Sequence, residues 1–187
     1  TLLNIVKKNN KKYDIVLLTA NKDHLQLFDQ AKKYRVKNLI ITDKASYEIL
    51  KKKCKNLKIN VYNDYNSLNK IFKKKVDYTM NSIVGLAGLK PTLQIIKYTK
   101  QIAIANKESI ICGWNLIKKK SIFNKTKIIP IDSEHFSIWT SLNEFNVNDI
   151  TNLNNLIQNL YITASGGPFK NTSIKKFKNI KVDQATK

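Results

Sequence analysis

Short apolar runs alternate with amphipathic segments along the first two thirds of the chain. The run 14–19 has the length of a buried strand, and the segment after it carries Leu25, Phe28 and Ala31 at helical spacing. Further strands are predicted over 36–42, 58–62, 76–83, 101–105 and 127–131. Helices are predicted through about 53, near 68–72, and over 89–99 and 108–118. Strands that alternate with helices in this way are typical of βαβ units, so the pattern predicts an α/β fold with a doubly wound parallel sheet.

The pattern changes towards both ends of the chain. Beyond about residue 138 the alternation loosens, and one more strand-like run, 160–163, leads into Ser165-Gly166-Gly167. A second unit is therefore predicted to begin near Asp132. At the start, Leu2, Leu3 and Val6 are typical of the tail of an amphipathic helix.

The glycines do not form a dinucleotide-binding turn. There are five, and none stands in a GxGxxG arrangement, which lets backbone amides approach a pyrophosphate. Either the fold does not bind a dinucleotide, or its first strand and Gly-rich turn lie upstream of Thr1.

Composition excludes several classes of protein. The hydrophobic content of 42% excludes wholesale disorder, and no apolar run reaches membrane-spanning length, so no membrane partner is expected. The opening residues lack the pattern of a signal peptide. Two cysteines, Cys54 and Cys112, give neither a disulfide framework nor metal-ligand spacing, which favours a reducing compartment.

The charge is high but spread along the chain. Lys+Arg total 34 against 13 Asp+Glu, for a net charge of +21 over 187 residues. Nearly all of the positive charge is lysine in short scattered runs, Arg35 is the only arginine, and asparagine is abundant, as an AT-biased genome would produce. A nucleic-acid reader usually shows an arginine-rich face or stacking aromatics, so no specific nucleic-acid partner is expected.

The segment 128–135, Ile-Ile-Pro-Ile-Asp-Ser-Glu-His, is the sharpest local signal for chemistry. Asp132 and Glu134 follow a predicted strand at i and i+2, which point to the same side of a strand. Two hard oxygen ligands suit Mg²⁺ or Mn²⁺ and leave positions open for substrate oxygens. Alternatively, Asp132 and Ser133 cap the next helix, with Glu134 in its first turn. His135 is interpreted as structural.

Two loops that follow predicted strands are candidate ligand sites. Asn106-Lys107-Glu108 joins a strand to a helix, where ligands bind in open α/β sheets, and Lys107 could neutralise a phosphate or polarise an oxygen. The alternative is that Asn106 is an N-cap with Glu108 in the first turn. The segment 20–22, Ala-Asn-Lys, follows what the pattern indicates is the fold's second strand, where the adenosine ribose of a dinucleotide is usually met. A lysine there suits the 2′-phosphate of NADPH, although a solvated loop would look the same.

Two weaker signals complete the candidates. Ser165 and the two glycines after it could cradle a phosphate, or form a simple turn. Cys112 and Trp114 are interpreted as packing residues rather than reactive ones.

Taken together, five segments closely resemble one family, the 1-deoxy-D-xylulose 5-phosphate reductoisomerases of the non-mevalonate isoprenoid pathway. They are LLTANKD (17–23), SIVGLAGLKPTL (82–93), IAIANKESIICGW (102–114), IIPIDSEHFSIW (128–139) and TASGGPF (163–169). The resemblance implies an NADPH-dependent oxidoreductase that needs Mg²⁺ or Mn²⁺ and converts this phosphorylated sugar to 2-C-methyl-D-erythritol 4-phosphate. It implies a Rossmann-like NADPH-binding domain over 1–131, the start of an α+β catalytic domain over 132–187, and a homodimer.

The resemblance also implies roles for individual residues. Asp132 and Glu134 match the family's metal carboxylates, Ser133 and Glu134 match substrate-binding positions, and Ser165 matches one that binds the substrate's phosphate. Lys107 matches the lysine near the substrate and is expected to be catalytic together with the two carboxylates. The cofactor-binding positions implied are Ala20, Asn21, Lys22, Asn106, Lys107 and Glu108.

The sequence departs from the family's pattern at both ends. The Gly-rich turn, the His-Pro-x-Trp flap, the downstream Ser, Asn and Lys of the phosphate site, the third metal carboxylate and the C-terminal helical domain are not in it. These 187 residues are therefore expected to be an internal piece without useful activity alone. The alternatives are another NAD(P)-dependent α/β dehydrogenase, a basic RNA-associated module, or a decayed relative. The expected compartment is a bacterial cytoplasm or a plastid-like organelle matrix.

Overall fold

The chain forms two compact units. The computed structural model describes residues 2–9, 12–144, 157–159, 161 and 167–185. The units are Thr1–Ile129 and Pro130–Lys187, a division two residues before the boundary predicted at 131/132. The strand predicted over 160–163 falls almost entirely outside the described residues.

Strands and helices alternate through the first unit, and the last strand ends at the first residue of the second unit. Their order is α1 (Leu2–Lys8), β1 (Leu17–Ala20), α2 (His24–Tyr34), β2 (Asn38–Ile41), α3 (Lys44–Cys54), β3 (Asn60–Tyr62), α4 (Leu68–Ile71), β4 (Val76–Asn81), α5 (Leu89–Ile95), β5 (Thr99–Ile104), α6 (Lys107–Phe123) and β6 (Lys127–Pro130). The second unit contains α7 (Ser133–Glu144), a 3₁₀ segment (Ile174–Asn179) and α8 (Val182–Ala185). Of the helices described, none combines the length and apolar character needed to cross a bilayer.

The strands form two three-stranded sheets, in the orders β1-β2-β3 and β4-β5-β6. The pairs β1/β2, β2/β3 and β4/β5 are parallel, which confirms the predicted α/β class. Among the described residues, no strand pairs with both β1 and β4, so the described strands pair in two groups of three.

Strand β2 shows how both faces of the first sheet are covered. Successive side chains of a strand point to opposite faces. Leu39 and Ile41 lie in a buried cluster with residues of α2 and α3, whereas Ile40 lies in a second cluster with residues of α4, α5, β5 and α6. All three side chains are fully buried, so the doubly wound layering is confirmed at this strand.

Two helices differ from the sequence-based expectation. In α2 the buried positions are Leu27 and Ala31, whereas Leu25, one of the three apolar residues noted at helical spacing, is 56% exposed and does not lie on the buried face. Helix α6 ends at Phe123, five residues beyond the predicted end at 118. The residues between them are apolar residues, lysines and a serine, without a helix breaker, and the C-cap is Asn124.

The interpretation of Cys112 and Trp114 as packing residues is also wrong. The buried positions of α6 include Gly113 and Ile117, four residues apart on one face. Cys112 and Trp114 flank that face, and both are exposed, Trp114 by 43%.

Candidate functional site

The candidate residues of the first unit lie at the carboxyl ends of parallel strands. Asn106 follows β5 and caps α6, since its Oδ1 accepts a hydrogen bond of 2.8 Å from the Ser109 amide. Lys107 and Glu108 form the exposed first turn of that helix. The N-cap alternative raised from the sequence is therefore confirmed, and it leaves the two charged side chains facing solvent.

The segment 20–22 is tied to the neighbouring strand. Ala20 ends β1, and its carbonyl accepts a hydrogen bond of 3.2 Å from the Thr42 amide. Asn21 donates from Nδ2 to the Thr42 hydroxyl at 2.8 Å, while Lys22 is exposed. The loop therefore has a fixed backbone and one solvent-facing cation, which suits a phosphate.

Lys22 acts electrostatically on a neighbouring carboxylate. Hydrogen bonds from the Ser46 amide and hydroxyl are the main reason that the pKa of Asp43 lies below its ordinary value, and the Lys22 ammonium adds a smaller lowering effect. Lys22 therefore lies close enough to the carboxyl end of β2 to act on charges bound there.

The carboxylates of the second unit lie on a helix start rather than a strand end. Strand β6 ends at Pro130, so the predicted strand alternation does not apply to Asp132 and Glu134. Asp132 precedes α7 and accepts a hydrogen bond of 3.1 Å from the His135 amide, as the capping alternative proposed. Glu134 is exposed in the first turn, and its Oε2 accepts a hydrogen bond of 2.9 Å from Ser133 Oγ.

His135 holds the Asp132 carboxylate. The ring Nδ1 lies 2.7 Å from Asp132 Oδ2, and the Asp132 side chain is 15% exposed. Partial burial raises the pKa of Asp132, but the hydrogen bonds and charge of His135 outweigh that effect, so the pKa lies below its usual range. Asp132 is therefore ionised at neutral pH, the form in which a carboxylate binds a cation.

The donor set of this helix start suits a divalent metal but is incomplete by itself. Asp132 and Glu134 offer hard carboxylate oxygens of the kind that Mg²⁺ and Mn²⁺ prefer, and His135 gives one of them an outer-shell partner. Among the described residues, no group of three or more His, Cys, Asp or Glu side chains could hold a metal. The two carboxylates would therefore need further oxygen ligands.

The candidates are distributed over both units. Positions 20–22 and 106–108 lie in the first unit, and positions 132–134 lie in the second. Ser165 lies outside the described residues, so its assignment stays a prediction.

Sequence reasoning missed a buried polar cluster beside Asn106. Asn81 at the end of β4 and Thr92 in α5 are 5% and 0% exposed, and their side chains are joined by a hydrogen bond. The available signal was an asparagine at the end of a predicted strand, repeated at Asn106 after the next strand.

The chain matches known proteins along its whole length. The profile of the family described as 1-deoxy-D-xylulose 5-phosphate reductoisomerase matches residues 1–113, and that of its C-terminal domain matches residues 128–187. A 1-deoxy-D-xylulose 5-phosphate reductoisomerase of Pelagibacter ubique is 54% identical over the whole chain, and one of Clostridium novyi is 35% identical over 99% of it.

Solved structures agree with these matches. The reductoisomerase of Zymomonas mobilis in complex with NADPH covers 93% of this chain, with 32% identity and a TM-score of 0.73. A reductoisomerase in complex with NADPH, fosmidomycin and magnesium covers 99% of it, with 30% identity and a TM-score of 0.77. This chain covers 44% and 47% of those two structures, and 47% of each of the two curated relatives.

The fold, the helix-borne carboxylates and the matches lead to one assignment. The α/β architecture carries the charged loops of the first unit and the Asp132–Glu134 segment of the second. Both family profiles match in order along the chain. The chain belongs to the 1-deoxy-D-xylulose 5-phosphate reductoisomerase family.

Proposed function

We propose that the polypeptide carrying this chain converts 1-deoxy-D-xylulose 5-phosphate to 2-C-methyl-D-erythritol 4-phosphate, using NADPH and a divalent cation. The observation that carries the proposal is the Asp132-Ser133-Glu134 helix start, with an ionised Asp132, in a chain that matches the family from end to end. Because the chain spans about half the length of its relatives, the proposal concerns the complete polypeptide.

Asp132 and Glu134 are the proposed metal ligands. A cation held there would act as a Lewis acid on neighbouring oxygens of the substrate. His135 keeps Asp132 oriented and charged, and Ser133 orients the Glu134 carboxylate through its 2.9 Å hydrogen bond. Ser133 and Glu134 are also proposed to contact the substrate, and Ser165 to bind its phosphate.

Lys107 is the proposed cation beside the reacting substrate. It stands in the first turn of α6, exposed, at the carboxyl end of β5. An ammonium in this position would stabilise negative charge that develops on a substrate oxygen.

The cofactor is proposed to lie against the carboxyl ends of the first unit's strands. Lys22 would face the 2′-phosphate that distinguishes NADPH from NADH, and Ala20 and Asn21 would supply the fixed loop beneath it. Positions 106–108 would lie at the nicotinamide end. The Zymomonas mobilis relative solved with NADPH supports this cofactor.

The wider organisation follows from the same assignment. We propose residues 1–131 as the NADPH-binding domain and residues 132–187 as the start of the catalytic domain. A homodimer and a location in a bacterial cytoplasm or a plastid-like organelle matrix are also proposed.

The test is NADPH oxidation by the complete polypeptide given 1-deoxy-D-xylulose 5-phosphate and Mn²⁺. Glu134→Gln removes one proposed ligand charge at constant shape and is expected to abolish turnover, as is EDTA. Glu48→Gln is the matched control, because Glu48 lies exposed in α3, and it is expected to leave turnover unchanged.

Two results would contradict the proposal. NADPH oxidation that continues both with EDTA and in the Glu134→Gln variant would show that the reaction does not need a metal. Reduction of a simple keto acid without metal would favour the rival dehydrogenase interpretation, which the family matches do not favour.

A further inference from the structure

The segment 82–88, called here the β4–α5 loop, presents an apolar tip at the carboxyl end of the second sheet. It joins β4 to α5 and ends in a 3₁₀ turn at Leu86–Gly88. Val84 is 86% exposed and Leu86 is 57% exposed. Gly85 between them has φ +72°, which favours glycine. Such a loop needs a defined anchor if its tip is to keep one position.

Asn81 anchors the loop from the strand side. Its Oδ1 accepts a hydrogen bond of 3.0 Å from the Ile83 amide, and its Nδ2 donates to the Gly88 carbonyl at 3.1 Å and to the Thr92 hydroxyl. The Thr92 hydroxyl in turn donates to the Gly88 carbonyl at 2.8 Å. Both ends of the loop are therefore bound to one buried polar pair.

Asn106 anchors the same loop from the opposite side. Its Nδ2 donates to the Gly85 carbonyl at 2.8 Å and also to the Ile83 carbonyl, while its Oδ1 caps α6 through Ser109. Asn106 is only 4% exposed, and both the donor and the acceptor group of its side chain form hydrogen bonds within the protein.

Gly88 makes this arrangement possible. A Cβ at position 88 would lie 2.1 Å from Asn106 Nδ2 and 2.9 Å from the Ile83 carbonyl oxygen. Any side chain there would displace the amide of Asn106 from the loop. The close approach of loop and amide therefore depends on glycine.

We infer that the Asn106 side chain is a positioning group within the proposed cofactor site: it fixes the β4–α5 loop against the first turn of α6 and thereby sets the affinity for NADPH through the loop, not through a contact of its own amide group. This inference rests on the proposed function, which places the cofactor at positions 106–108. Lys107 and Glu108 supply exposed groups, whereas the Asn106 side chain is turned to the loop. Helix capping and loop anchoring are separate tasks of its Oδ1 and Nδ2.

The experiment separates the two tasks by substitution. Asn106→Ser keeps a helix-capping hydroxyl but loses both donors to the loop. Amide hydrogen exchange over 82–88 in the complete polypeptide without NADPH is expected to become about tenfold faster, and the Kd for NADPH is expected to rise about tenfold, as loss of about one hydrogen bond's net energy would give. Asn115→Ser, the same change at an exposed position of α6, is the matched control and is expected to alter neither.

Thr92→Val keeps the test open if Asn106→Ser folds poorly. Thr92 is fully buried and cannot reach a bound cofactor. Loss of its hydroxyl nevertheless removes the hydrogen bond to the Gly88 carbonyl and so loosens the same loop from the strand side. Faster exchange over 82–88 with a raised Kd for NADPH in this variant is the expected result. A kinetic measurement adds a second readout, because the KM for NADPH should rise more than kcat falls.

Each other outcome overturns a defined part of the inference. Unchanged exchange over 82–88 in both variants would overturn the anchoring role. Faster exchange with an unchanged Kd would overturn the link to the cofactor. A raised Kd in Asn106→Ser alone, with unchanged exchange, would indicate direct contact instead. Failure of the unsubstituted polypeptide to bind NADPH would overturn the proposed function and this link together, while the exchange result still decides the anchoring role.

Discussion

At the scale of single residues, polar side chains at strand ends accept hydrogen bonds from nearby backbone amides. Asn81, Asn106 and Asp132 each stand at or just after the end of a strand, and each accepts a hydrogen bond from a backbone amide two or three residues further on. Capping groups of this kind satisfy amides that the start of a helix or loop leaves unpaired. A site residue in such a position has therefore both a structural and a chemical role.

The two cysteines are expected to react very differently. Burial raises the pKa of the Cys54 thiol, and Cys54 is only 3% exposed, whereas Cys112 lies exposed on α6. Because the thiolate is the reactive form, iodoacetamide at neutral pH should label Cys112 and leave Cys54 unlabelled until denaturant is added. Peptide mass mapping checks this, with Cys112→Ser as the control that should take up no label. Equal labelling of both residues in the folded protein would contradict the burial of Cys54.

Asp43 is expected to stabilise the fold in a pH-dependent manner. Its carboxylate caps α3 by accepting hydrogen bonds from the Ser46 amide at 2.9 Å and the Ser46 hydroxyl at 2.8 Å, and these hold the pKa of Asp43 below its ordinary value of 3.8. A lowered pKa stabilises the folded state above the ordinary value, and that contribution is lost as the pH falls through the folded-state pKa.

The difference in free energy of unfolding between the unsubstituted chain and Asp43→Asn should therefore be largest near neutral pH. It should shrink below about pH 4, where the unfolded-state carboxyl takes up its proton. Urea unfolding across this range measures it. Asp29→Asn on α2 is the matched control, and a difference independent of pH would show that the hydrogen bonds to Ser46 do not favour the charged form.

At the scale of elements, two leucines of α2 show which face of this helix packs against the core. Leu27 is 2% exposed and Leu25 is 56% exposed. Leu27→Ala should cost about 2–5 kcal/mol of unfolding free energy, because it leaves a cavity against β2 and α3. Leu25→Ala, the same change two residues away, should cost about 0.5 kcal/mol or less. The reverse order, measured by urea unfolding, would mean that α2 is rotated from its described position.

How far the sequence predicts these elements depends on where the decisive contacts lie. The strand cores were predictable, because Leu39, Ile40 and Ile41 are consecutive apolar residues in a run of strand length, the pattern of a strand that is buried on both faces. The buried face of α2 was not predictable, because Leu25, Leu27 and Phe28 are all apolar and only packing against β2 and α3 selects Leu27. The anchoring by Asn81 and Asn106 was not predictable either, since it joins positions 25 residues apart through backbone carbonyls. Local caps such as Asp132 were visible as alternatives in the sequence.

At the scale of the whole molecule, the net positive charge is expected to lower the free energy of unfolding. The chain carries a net charge of +21, and the Lys100–Asp77 ion pair, at 2.8 Å, joins two well-exposed side chains. Like charges in a compact state repel one another, and salt screens them over about 10 Å at 0.1 M.

The free energy of unfolding should therefore rise as NaCl is added from low ionic strength. Urea unfolding at several salt concentrations measures this, and KCl at equal ionic strength controls for ion-specific binding. Stability that stays constant or falls with added salt would mean that the lysines are compensated in the folded state.

Because the chain forms two compact units, its own tryptophan fluorescence can follow the unfolding of each unit separately. It has two tryptophans, Trp114 on α6 in the first unit and Trp139 on α7 in the second, stacked on Phe136 at 5.9 Å between ring centroids. Fluorescence of the Trp139→Phe variant therefore follows the first unit alone, and that of Trp114→Phe follows the second. Coincident emission changes in the two variants would indicate a single cooperative transition, and separate ones would give each unit its own stability.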